Sequence, residues 1–206
     1  MKNNKVLLLI IHTFLFISTL IVLIYLLFYK KGFRFLRFYT ACINLFTGIV
    51  SLIFIVDLLI DNNISKFTFK LRYLSACGML FTIIVVALVG APNYNHYYDA
   101  FIRWNLFFHL INPILSSMSF IFLENYYIIN VRDLLLTLIP TLVYMLFYGL
   151  SVFYFHYFKD FYRVALGGRY YITPVLGIIA LISYFNMGLV VNSLNNKSYI
   201  RYIIIE

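Results

Sequence analysis

Six long apolar runs separated by short polar connections dominate the chain. They cover residues 6–29, 38–60, 73–91, 104–123, 134–158 and 172–191. Each has the roughly 20 mostly apolar residues that a helix needs to cross a hydrocarbon layer about 30 Å thick. None alternates apolar and polar residues with period two, which argues against transmembrane strands. Lipid offers no partner to an open backbone, so helices are expected. The expected fold class is all-α: a polytopic membrane protein, a bundle of six transmembrane helices with both termini on the same side. Residues 1–206 read as a single domain, because the connections leave no room for a soluble unit. Lys2 and Lys5 precede the first run, as in a signal peptide. The run is too long for a signal segment and no small-x-small cleavage site follows, so it reads as a retained span.

Polar residues inside such runs are costly unless satisfied, and their spacing is informative. In the second run Thr40, Asn44, Thr47 and Ser51 recur at helical spacing and share one face. In the fourth, Asn105, His109, Asn112, Ser116 and Ser119 do the same. Both stripes are expected to face the bundle interior. The two runs enter from the same side of the membrane, and Thr40 and His109 both fall within about 10 Å of that boundary at 1.5 Å per residue. Thr40, Asn44 and His109 are thus expected in one shallow polar pocket. His156 and the Gly167-Gly168 loop lie on that side too. His12 has no polar stripe around it and reads as structural or interfacial, and His96 as solvated. Asp57 and Glu124 lie at the opposite ends of their runs, where Arg72 and Arg132 are available as partners. Pro113 is expected to free the carbonyl of His109 and kink the helix there. A bland reading competes throughout: Ser and Thr in membrane helices often bond their own backbone or join helices.

Composition changes the picture little. The chain is 64% hydrophobic and 11% charged, against about half and about a quarter in soluble domains. A soluble domain and a disordered chain are both excluded. The net charge of +9 would suggest nucleic acid in a soluble protein, but the basic residues flank the apolar runs and read as headgroup anchors. The expected partner is membrane lipid, with no nucleic acid. Eight Lys and Arg fall on each side of the six runs, so charge assigns no inside. The loops are rich in Tyr and Phe, as in interfacial aromatic belts. Cys42 and Cys77 sit within apolar runs as small hydrophobes, and no metal or cofactor is expected. No G-x-S-x-G, HExxH, P-loop or dinucleotide glycine pattern occurs.

Two segments carry a resemblance. Phe38-Tyr39-Thr40-Ala41-Cys42-Ile43-Asn44-Leu45 resembles the F-T-x-x-S-N-L pattern of small prokaryotic six-span membrane proteins. Trp104-Asn105-Leu106-Phe107-Phe108-His109-Leu110-Ile111-Asn112-Pro113 resembles their W-x-x-x-x-H-x-x-x-P motif. The order of spans agrees over most of the chain. That group is related to the androgen-induced and androgen-dependent TFPI-regulating proteins of animals, which are threonine hydrolases of branched fatty-acid esters. The resemblance implies a bacterial plasma membrane protein, with Thr40 matching the nucleophile and His109 the base. The match has two departures: a one-residue shift decides whether Tyr39 or Thr40 stands at the pattern's Thr, and Cys42-Ile43 replaces the polar residue expected before Asn44.

The chemistry is coherent. A hydroxyl needs an adjacent base, and an imidazole can take its proton at neutral pH. Asn44, Asn105, Asn112 and His156 are candidates to orient the imidazole or contact substrate. The leading expectation is a lipid-directed ester hydrolase with a lipid ester as substrate. The alternative is a non-catalytic lipid-binding or small-solute transport protein whose polar cavity lies between the second and fourth spans. A third is a purely structural membrane component.

Overall fold

The computed structural model describes residues 2–29, 33–93, 96–160 and 173–205. The Gly167-Gly168 loop and Lys30 and Lys31 of the first connection lie outside the described residues. The fold is an all-α polytopic bundle, with no strand among the described residues. Its helices are α1 (Lys2–Tyr29), α2 (Tyr39–Ile60), α3 (Lys66–Val85), α4 (Trp104–Phe122), α5 (Arg132–Tyr154) and α6 (Thr173–Ile205). Among the described residues six helices are long and apolar enough to cross a membrane.

The distribution of side chains is that of a protein solvated by lipid. Ile10, Ile21 and Phe28 of α1, Leu59 and Ile60 of α2, and Val143 and Leu146 of α5 are exposed. The interior holds His12, Asn44, Thr47, Ser51, Arg72, Ser75, Asn112, Ser116 and Glu124, each 0% exposed. Water would drive these two sets the other way. The chain is an integral membrane protein on that account.

α3 is the central helix and packs on α2, α4, α5 and α6, while α1 lies on α2 and α4. Its start differs from the expectation. The third apolar run begins at Tyr73, but the helix begins seven residues earlier, because Ser65 accepts from Thr68 N–H at 3.1 Å and caps it. Arg72 is therefore not a cation flanking the span: it stands inside α3, fully buried. Asp57 also departs from the expected ion pair. It accepts from Ser65 N–H at 3.0 Å and helps fix the α2–α3 corner.

Three contacts set the antiparallel register of α1 on α2. Lys5 Nζ donates to Asn62 Oδ1 at 2.7 Å, His12 Nδ1 lies 3.2 Å from Ser51 Oγ, and Thr19 packs on Gly48. α6 is held by Tyr73, whose hydroxyl donates to Gly188 O at 2.8 Å, and by Asn195, whose Nδ2 donates to Phe120 O at 2.7 Å. Gly78 sits where α2, α3 and α6 converge. A Cβ there would lie 2.3 Å from Ile43 Cδ1 and 3.2 Å from the Tyr184 hydroxyl. Gly78→Val is expected to lower the thermal midpoint in detergent, at a cost of about 1–3 kcal/mol for overpacking. An unchanged midpoint would show that Ile43 yields freely.

Candidate functional site

Both sequence stripes are buried, and their residues divide between two polar clusters. The first lies toward the side of the membrane opposite the termini, where α2 begins. Thr40 is in the first turn of α2 and His109 in the second turn of α4.

The backbone of α4 is irregular at this point for a reason visible in the sequence. Residues Phe107–Ile111 form a π turn, in which Asn112 N–H reaches back to Phe107 O. Pro113 follows and has no N–H to give. Phe108 O therefore receives nothing from either residue, although buried carbonyls need a donor. Asn44 Nδ2 supplies it from α2 at 3.1 Å. The sequence expectation placed the freed carbonyl on His109; the π turn moves it back by one residue.

Asn44 is fully committed. Its other amide hydrogen goes to Thr40 O at 2.7 Å, and its Oδ1 accepts from Asn112 Nδ2 at 3.1 Å. Asn112 Oδ1 in turn accepts from Ser18 Oγ of α1 at 2.9 Å. One side-chain amide thus ties the backbone beside Thr40 to the backbone beside His109. Neither hydrogen of Asn44 is free for a substrate, so Asn44 positions the two helices. Asn44→Ala would leave Phe108 O without its donor and remove the acceptor of Asn112 Nδ2. Each such buried group costs about 1–3 kcal/mol. The variant is expected to melt well below wild type in detergent; an unaltered midpoint would contradict the clamp.

His109 is oriented from the other direction. Its Nδ1 lies 2.6 Å from Ala100 O. A carbonyl only accepts, so Nδ1 carries the hydrogen and the neutral ring keeps its lone pair on Nε2. Asn105 Nδ2 donates to Asp99 O at 3.0 Å. Asn105 and His109 therefore hold the same short turn, Tyr97–Phe101. Thr40 and His109 are each 7% exposed. Their side chains do not hydrogen-bond to each other, and the Thr40 hydroxyl makes no hydrogen bond among the described residues. His156 is exposed, with φ +52°, at the end of α5, and makes no hydrogen bond among the described residues. The structure does not join it to this cluster.

The second cluster lies toward the termini, and its members come from four separate segments that the sequence does not mark as one site. Arg72 and Glu124 form a two-point ion pair, Nε to Oε2 at 2.9 Å and Nη2 to Oε1 at 2.7 Å. Arg72 Nη1 donates to Ser75 and Ser116 at 3.2 and 3.1 Å, and Nη2 donates to Ser116 O at 3.1 Å. Thr47 joins through Ser75, with the two hydroxyl oxygens 2.8 Å apart. His12 is neither isolated nor interfacial. It stacks on Phe54 with centroids 3.8 Å apart, and its Nε2 lies 3.4 Å from Glu124 Oε1. Counting back along two antiparallel helices joined by a short connection puts His12 opposite Val56, about a turn and a half from Ser51, so the sequence places it only near the stripe.

The first cluster can hold a neutral base beside a hydroxyl-bearing helix start. The second holds a compensated ion pair against a histidine. Among the described residues no group of three His, Cys, Asp or Glu is arranged to bind a metal. Comparison with protein-family models, with curated proteins and with solved structures finds no match in any of the three.

Proposed function

We propose that the chain is a lipid-directed ester hydrolase of a bacterial plasma membrane, with Thr40 as nucleophile and His109 as general base. The observation that carries this reading is the bond from His109 Nδ1–H to Ala100 O. It fixes the tautomer whose Nε2 is free to accept a proton, as the base beside a nucleophilic hydroxyl requires. The Asn44 clamp supports it, because it ties the Thr40 and Phe108 carbonyls through one amide. The resemblance of the Thr40 and His109 segments to the androgen-induced hydrolase group points the same way.

In the proposed reaction Thr40 Oγ1 attacks the ester carbonyl carbon while His109 Nε2 takes the hydroxyl proton. The carbon–oxygen bond to the alcohol breaks, and the departing oxygen receives that proton from Nε2. Water then attacks the acyl-threonine, again giving its proton to Nε2. The acid leaves as Thr40 Oγ1 recovers a proton. Thr40 and His109 both belong to candidate membrane spans, which supports entry of substrate from the lipid phase. The test is cleavage of long-chain lipid esters by the purified chain in detergent micelles. Thr40→Ala is expected to abolish turnover while the thermal midpoint stays near wild type. Turnover retained at the wild-type rate in a folded Thr40→Ala protein would refute the assignment.

A further inference from the structure

The second cluster contains a buried histidine that the hydrolase reading does not use. His12 is 0% exposed, and its two ring nitrogens differ sharply in their surroundings. Nδ1 lies 3.2 Å from Ser51 Oγ, within hydrogen-bond distance. Nε2 has no hydrogen bond among the described residues, although Glu124 Oε1 stands only 3.4 Å away. A nitrogen and a carboxylate oxygen this close with no hydrogen bond between them fit the tautomer in which Nε2 carries no hydrogen. In that arrangement Nδ1–H donates to Ser51 and Nε2 is bare.

We propose that the bundle carries a proton-binding site at this gap, separate from Thr40 and His109. The acceptor is His12 Nε2, and Glu124 Oε1 is the counter-ion that receives the new N–H. The proton comes from bulk water. The donor is hydronium, whose O–H bond breaks to leave water as the Nε2–H bond forms, so the core gains a single positive charge. The charged groups at the site are few. From α3 comes Arg72, and from the segment after α4 comes Glu124. Tyr126 packs its ring against Phe54, the same ring on which His12 stacks. α2 contributes the uncharged Ser51. Before uptake Arg72 and Glu124 cancel. Afterwards Glu124 is shared between a guanidinium and an imidazolium.

Glu124 Oε1 then carries bonds from Arg72 Nη2, Ser119 Oγ and His12 Nε2, where it now carries the first two at 2.7 and 3.0 Å. A carboxylate oxygen has about two lone-pair sites. Uptake must therefore lengthen the Arg72 or Ser119 bond. The site couples proton occupancy to the contact between α1 and the α3–α4 pair. Its ligand is the proton itself, and the function it adds is acid-responsive packing of α1 within the membrane.

The full chain in lipid nanodiscs, labelled with nitrogen-15 at histidine, tests this. The three ring states of a histidine have distinct nitrogen shifts, and His12→Asn assigns the His12 signals. Wild type is expected to show the Nδ1–H tautomer at high pH and gain a proton on Nε2 in one step on acidification. Arg72→Gln with Glu124→Gln removes both charges together, which keeps the core neutral. In that double variant the step is expected to be lost over the range where the fold persists. His96, His109 and His156 serve as internal controls. A His12 that already carries hydrogen on Nε2 at high pH, or one that titrates identically in the double variant, overturns the proposal.

Discussion

Replacing Glu124 with alanine is expected to cost about 3–5 kcal/mol of stability, the usual penalty for stranding a buried charge. Arg72 is 0% exposed and gives two of its donors to that carboxylate. The remaining acceptors are neutral serine oxygens, which satisfy hydrogen bonds without compensating charge. Arg72→Gln with Glu124→Gln is expected to recover most of the loss, because no net charge is then left in the core. Thermal unfolding of wild type, Arg72→Gln, Glu124→Gln and the double variant in detergent completes the cycle. Additive single losses, with no recovery in the double variant, would mean that the pair does not act as a unit.

The same pair predicts the response to acid. Glu124 lies two residues beyond the end of α4. Burial alone would raise its pKa, but the Arg72 guanidinium outweighs burial, aided by His12 once that ring is protonated. The carboxyl is held well below its ordinary 4.5, at about 2. A depressed carboxyl adds stability above its unfolded pKa and loses it as pH falls through the folded one. The contribution is therefore complete above about 4.5 and decays toward about 2.

His109→Ala is expected to lower ester turnover by about 10²–10⁴-fold, the range for a lost general base. At 1.36 kcal/mol per tenfold, that is a barrier increase of about 3–5 kcal/mol. His109→Gln separates the readings more sharply. Glutamine can still donate a hydrogen bond toward Ala100 O, but it has no basic nitrogen. A hydrolase loses turnover in both variants. A protein that only binds lipid or passes a solute keeps its ligand affinity in His109→Gln. Equal turnover in wild type and His109→Gln would remove the base from the mechanism.

Much of the fold was legible because lipid simplifies the code: long apolar runs have few structural options. Both polar stripes were legible through their spacing, and all nine of their side chains are buried. Arg72 is legible as a partner for Glu124, and the pair forms, but its depth is not, because hydropathy treats a charge as the end of a span. Here the partner that permits burial, Glu124, is 52 positions away. The π turn in α4 was hidden for a related reason. Pro113 announces a broken bond, but the donor that repairs it belongs to another helix. Asn44 was visible as a polar residue and its three bonds were not, since they depend on how α2 sits against α4. His12 needed the α1–α2 register, which a tight contact at Gly48 helps set.

The central claim is that an acyl group passes through Thr40, and trapping that intermediate tests it most directly. The purified chain would be exposed to a fluorophosphonate or a slowly hydrolysed activated ester, digested and mapped by mass spectrometry. The added mass is expected on the peptide containing Thr40, and to vanish in Thr40→Ala and His109→Ala. Labelling of another hydroxyl, or brisk ester hydrolysis with no adduct at Thr40, would contradict it.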